Sequence, residues 1–267
     1  MVSIKKYQAF FRNQFSSTIA YRGPILVWMF SSVLSLVFLT AVWQSAKAGQ
    51  TIGSYTRAEL ISYYVVSFFF NWLINWFPFY GVVEEIKSGE ISGSSLLKPL
   101  SFYWRKFSEE LGWHAFSVIL GTIFTLGIVF FFSQPLVLDF SWQRLLLTFL
   151  ALALTTFVVF SFSLCLGLVS FWFVDIWILD SLFWAGRAFL GGQALPLSFI
   201  PDAFQAVVKF LPFRYVFSFP LEVYFGRLSR SELLFGFFLS FFWVLVFIWL
   251  YKIMWNRGRQ AYAAFGN

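Results

Sequence analysis

Charge is scarce in this sequence: 12% of its 267 residues are Asp, Glu, Lys or Arg, about half the share that a water-soluble domain carries. A globule of this size needs polar groups to cover its surface, and too few are present. Cysteine occurs once, as Cys165 inside an apolar run. That excludes an intrachain disulfide and makes the thiol a small packed hydrophobe. Histidine also occurs once, as His114, which excludes a metal site built from Cys and His and a Ser-His-Asp arrangement. Its position suggests the inner end of a membrane span. The phosphate-cradling pattern G-x-x-x-x-G-K-[ST] is missing, so the chain does not hold ATP by that route. No strand-length alternation is found, which removes the β-barrel reading. The formal charge of +7 is scattered in pairs rather than gathered into one dense patch. Nucleic acid is therefore not an expected partner, and anionic membrane lipids are the natural counter-charge.

What is present is apolar and aromatic. Hydrophobic residues make up 60% of the chain, with 40 Phe and 13 Trp, and the mean hydropathy is +0.76. Five stretches carry no charged residue: Pro24–Trp43, Leu60–Val83, Leu111–Leu138, Leu145–Val174 and Leu233–Tyr251. A sixth, Ile176–Leu195, is interrupted by Asp180 and Arg187. About 20 apolar residues cross a bilayer as a helix. The expected fold is thus an all-α integral membrane protein of about six transmembrane helices, in a single transmembrane domain over residues 1–267. The fourth stretch exceeds the needed length, so it should tilt or protrude. Thr56-Arg-Ala-Glu59 and Ser229-Arg-Ser-Glu232 match the capping-box pattern directly before the second and last spans.

With the N-terminus inside, inner segments hold eleven Lys and Arg and outer ones seven, which favours two cytoplasmic termini. Ala46-Lys47-Ala48 resembles a signal-peptide cleavage site, but the apolar run before it is too long for a signal core, so retention is expected. Residues 1–22 form an amphipathic leader in which Ile4, Tyr7, Phe11, Phe15 and Ile19 recur at helical steps. It lies either in the inner membrane interface or against the protein's own flank.

Two polar segments stand out. Residues 84–110 hold nine charged residues, with Gly89 and Gly93 breaking the chain and Pro99 with Ser101 starting a new helix. Leu96 and Leu97 are an apolar pair within it, flanked by Glu90 and Lys98. An ordinary solvated loop and a partner-binding loop both fit. The paired carboxylates Glu84-Glu85 and Glu109-Glu110 read as surface charges. Residues 196–231 carry four prolines among Phe, Val and Leu, with Pro201 and Pro220 opening short helices near Pro201–Leu211 and Pro220–Phe225. Such helices should re-enter the membrane, either to gate a pathway or to cap the bundle. Asp175 and Asp180 are expected near a wet inner turn. Arg187 lies deeper, one face-repeat beyond Asp180, and must face the bundle, a cavity or a partner.

The arrangement resembles permease subunits of type-2 ABC exporters. The residues that carry the likeness are Gly89-Glu-Ile-Ser-Gly-Ser-Ser-Leu-Leu-Lys-Pro99-Leu, then Leu195-Pro-Leu-Ser-Phe-Ile-Pro201 and Leu211-Pro-Phe. They are similar to a bacterial branch that pairs two related permeases with a separate ATPase. The resemblance implies export across the bacterial cytoplasmic membrane, with ATP and Mg on partner ATPase subunits and no cofactor in this chain. It implies coupling to the ATPase through Glu90, Leu96, Leu97, Lys98 and Pro99, and an outer gate that includes Pro201, Phe204, Phe210 and Pro212. The alternatives are a stand-alone secondary transporter or channel, which would work without an ATPase, and a membrane-embedded enzyme, for which no reactive constellation is present.

Overall fold

A computed structural model describes residues 4–44, 55–91, 100–131 and 136–265. The elements are α1 (Ile4–Ala20), α2 (Gly23–Gln44), α3 (Arg57–Ile74), α4 (Phe79–Lys87), α5 (Phe102–Phe131), α6 (Trp142–Leu168), α7 (Trp177–Phe189), α8 (Asp202–Val208), α9 (Pro212–Val216), α10 (Ser218–Tyr224) and α11 (Arg230–Phe265). Among the described residues, five stretches are long and apolar enough to cross a membrane: α2, α3 with α4, α5, α6 and α11. The protein is an all-α integral membrane protein.

Helix starts follow the local sequence signals. Thr56 Oγ1 accepts the Glu59 amide at 3.3 Å while the Glu59 carboxylate accepts the Thr56 amide at 2.7 Å. Ser229 and Glu232 make the same reciprocal pair at 3.3 and 3.0 Å. Each closed box satisfies amides that a helix start leaves orphaned, at about 1 kcal/mol apiece. Cys165 is buried and its thiol reaches the Phe247 carbonyl at 3.4 Å, as a packed side chain should.

The sixth apolar stretch behaves differently from the other five. Only Trp177–Phe189 is helical, 13 residues, about 20 Å of rise against a ~30 Å hydrocarbon core. Gly192, at φ 79°, turns the chain where a residue with a Cβ would be strained. The stretch still runs the depth of α3 and α4. Asp180 meets Tyr80, Arg187 meets Asn71 and Asn75, and the Gly192 and Ala194 carbonyls accept the Tyr63 and Tyr64 hydroxyls at 2.6 and 3.0 Å. These contacts fix α7 antiparallel to the α3–α4 span.

That span lies at the centre of the bundle: 72% of its apolar stretch is buried inside the protein, against 17–39% for the other four. On one side Phe217, Leu221 and Tyr224 of the α9–α10 segment join α2 and α3 in one apolar core. On the other, α4, α6 and α11 form a second core around Val82, Val158, Leu164 and Phe247. The α9–α10 segment is nearly all buried, whereas α8 is largely exposed.

Helix α1 and the last part of α11 lie at the same end of the bundle, beside the start of α5. Phe10 of α1 sits under the Arg105 guanidinium at 5.8 Å, and Trp255 of α11 stacks on Phe102 at 4.2 Å. Helix α1 packs on α5, where a Cβ at Gly112 would come within 2.5 Å of the Phe11 carbonyl. The inward stripe is Tyr7, Phe10, Phe11, Gln14 and Phe15, all partly buried, with Thr18 fully so, leaving Ile4 and Ile19 exposed. Helix α1 thus packs against the protein's own flank.

Candidate functional site: a broken helix beside a polar cavity

The run Leu60–Val83 is not one helix. Pro78 has no amide to donate, and its ring disfavours helical geometry in the residue before it. The chain therefore leaves the helix at Asn75, with φ −83° and ψ 58°, and restarts at Phe79. Inside a membrane, freed backbone groups need protein partners or a water-lined cavity. They find partners here. The Leu73 carbonyl accepts the Trp76 indole N–H at 3.0 Å and lies 2.6 Å from His114 Nε2. The Trp76 carbonyl accepts the Ser163 hydroxyl at 3.3 Å, and the Phe77 amide donates to the Glu110 carboxylate.

His114 thus works well inside α5 rather than at the inner end of a span. The reason is that α5 begins at Phe102, nine residues before the charge-free run, so charged residues occupy its first turns.

The same break holds Arg187. Its guanidinium is fully buried and donates to Asn71 Oδ1 at 2.6 Å and Asn75 Oδ1 at 3.1 Å. It also lies over the rings of Trp184 at 5.2 Å and Phe217 at 5.1 Å. Asp180 is not its partner. That carboxylate accepts the Tyr80 hydroxyl at 2.9 Å and the Trp184 indole N–H at 3.0 Å. Nor is Asp180 wet: it is 6% exposed, while Asp175 is exposed as expected. Trp184 separates the two charges, giving its N–H to Asp180 and its face to Arg187.

A half-enclosed cavity of about 700 Å³ opens beside the break. Asn71, Trp72, Asn75 and Tyr80 form one wall, Trp28, Ser31 and Ser32 of α2 another, and Glu109, Glu110 and Trp113 of α5 a third, with Trp184 of α7 beyond. Asp180 and Arg187 stand behind this lining, each bonded to residues that face the space.

One turn below, the carboxylates that looked like surface charges close a buried network. Arg105 reaches Glu85 at 2.6 Å and Glu109 at 2.7 Å, and Lys106 reaches the same two at 2.7 and 2.9 Å. Glu85, Arg105 and Lys106 are nearly fully buried, so each charge needs the others; removing any one would leave an uncompensated buried ion. The network ties the end of α4 to the start of α5, the two ends of the 84–110 segment. Adjacent residues on a helix point about 100° apart, which is why Glu109 reaches the network from the edge of the cavity while Glu110 faces the cavity without joining it.

Glu90 is exposed just past the turn at Gly89, whose φ is 82°. Leu96, Leu97, Lys98 and Pro99 lie outside the described residues. In the 196–231 segment, Pro201 precedes α8, Phe204 and Phe210 are 65% and 58% exposed, and Pro212 is buried at the first position of α9. Pro220 sits in the first turn of α10, and Gly226 at φ 62° ends it. Arg227 pins this segment to α3 through Glu59 at 2.7 Å.

Comparison with curated proteins gave no match. The family described as ABC-2 family transporter protein matches residues 27–266, from the first turns of α2 to the end of α11. A membrane-crossing bundle matched over nearly all its length is a membrane component of that system rather than its ATPase: the chain belongs to the ABC-2 transporter family.

Proposed function

We propose that this chain is an export permease that forms a substrate pathway with a second permease, identical or homologous, and is driven by separate ATPase subunits that carry ATP and Mg. The observation behind this reading is the family match over residues 27–266 in a sequence with no phosphate-binding loop. The 84–110 segment is the coupling element, with Glu90, Leu96, Leu97, Lys98 and Pro99 against the ATPase. Its support is the buried network that ties both ends of the segment to the membrane bundle. The outer gate is the segment around Pro201, Phe204, Phe210 and Pro212, where two large apolar rings stand exposed above a buried helical pair.

Affinity capture of the tagged chain from its native membrane tests the assembly. An ATPase and a second permease should co-purify, and transport should stop when ATP hydrolysis is blocked. Transport that continues without an ATPase would replace this reading with a stand-alone transporter or channel.

The setting proposed is the bacterial cytoplasmic membrane with both termini in the cytoplasm. Cysteines at two exposed positions, Asn256 in the last part of α11 and Ala203 in α8, report the orientation. An impermeant thiol reagent on intact cells should label Ala203→Cys and spare Asn256→Cys. Equal labelling, or the reverse pattern, would turn the bundle over.

A further inference from the structure

The cavity beside the broken helix has a definite electrostatic character. Arg105 and Lys106 are each engaged by both Glu85 and Glu109, so two positive charges meet two negative ones. Behind the wall, Arg187 and Asp180 balance each other and are each turned onto neutral partners. Lys106, Glu109 and Glu110 all border the space; with Lys106 shared between Glu85 and Glu109, one negative charge is in excess there: Glu110, partly buried, whose carboxylate accepts the Phe77 amide and makes no ion pair within 4 Å among the described residues. Around it stand the indoles of Trp28, Trp72, Trp113 and Trp184, with Trp28 and Trp113 at 6.5 Å between centroids. An aromatic ring presents a negative face to a cation, and the attraction grows where water is displaced. A carboxylate in excess of the cations around it is costly in a partly desolvated space until a further positive charge reaches it.

We propose that this cavity binds a monovalent organic cation with apolar substituents, a quaternary ammonium or phosphonium ion, with Glu110 as its counter-charge and the indole faces as its walls. The volume of about 700 Å³ suits a drug-sized ion. This deepens the export reading by giving the pathway a substrate class, and it rests on that reading only for the direction of travel. Binding to the purified chain needs no ATPase, so the two ideas fail separately.

Equilibrium dialysis of the full-length chain in a nonionic detergent provides the test, with detergent alone as the blank. Tetraphenylphosphonium and tetraphenylborate have the same shape and opposite charge. The phosphonium should bind saturably and the borate should not. Glu110→Gln keeps an oxygen for the Phe77 amide, so it should fold, and it should weaken phosphonium binding about tenfold to hundredfold. Glu110→Asp should recover part of the loss. Lipid headgroups can carry the same trimethylammonium chemistry, so a third arm adds a short-chain phosphatidylcholine. Displacement of the phosphonium assigns the site to a headgroup and no displacement to a soluble cation; either result keeps the cation site. Equal binding of the two ions, or a Glu110→Gln protein that melts normally and binds the phosphonium as the parent does, would overturn the proposal.

Discussion

Replacing Leu96 and Leu97 together by Asp should leave the chain inserted and folded but strip it of its ATPase. A solvated loop gains nothing from two adjacent leucines. A groove on a partner does: each buried leucine contributes about 1.5–3 kcal/mol. Glu90 and Lys98 then fall at a polar rim, where charges cost little. Two aspartates in that groove would lose the apolar gain and bury unpaired charge, at several kcal/mol more. The membrane bundle should not feel the change, because the ends of the segment are fastened below it by Glu85, Arg105, Lys106 and Glu109. Capture of the ATPase on the immobilised double variant, compared with the parent, decides the matter. Undiminished capture with normal transport would show that the coupling contact lies elsewhere.

The second large effect concerns Arg187, and its direction separates two accounts of that residue. If the guanidinium is a structural tie, removing it should hurt most. If it is a buried charge held in place by its acceptors, removing the acceptors should hurt most. The second account fits the geometry, since both Oδ1 atoms belong to residues that also line a cavity and can turn to water there. Arg187→Met should then cost about 1–2 kcal/mol. Asn71→Leu with Asn75→Leu should cost about 3–5 kcal/mol, because a fully buried cation is left to two ring faces. In detergent the double variant should melt roughly 10 °C lower, and adding Arg187→Met to it should restore most of the loss. A triple variant no more stable than the double one would show that the asparagines matter for another reason.

Much of the architecture could be read from the chain because membranes simplify the problem. A charge-free run of sufficient length must be helical, and capping boxes at Thr56 and Ser229 mark their starts without tertiary help. The site was less legible, for reasons that differ by residue. Counting only ionised residues made Leu60–Val83 look continuous; the signals of the break were Asn71, Asn75 and Pro78, which are polar or conformational but carry no charge. The 84–110 segment stood out by its density of charge. Its carboxylates were misread, however, because sequence cannot tell which of two adjacent glutamates points inward. Glu85 and Glu109 do, the first onto cations 20 and 21 residues away along the chain, the second onto the same cations four and three residues away. Arg187 was legible as a residue that needed burial, but its partners are more than a hundred residues earlier.

The interruption between Asn75 and Pro78 has a mechanical side. Helix α4 is nine residues long, about 13 Å, attached at one end to a stretch without helical hydrogen bonds and at the other to α5 by ions. It has the form of a short crank. A tilt of about 10° at its pivot would carry the far end by about 2 Å. The foot of α5 would follow, because Glu85 grips Arg105 and Lys106 together. Tyr80 and Gly81, one turn from the pivot, border the cavity, so a small push at Lys87 would be felt as a change in its width.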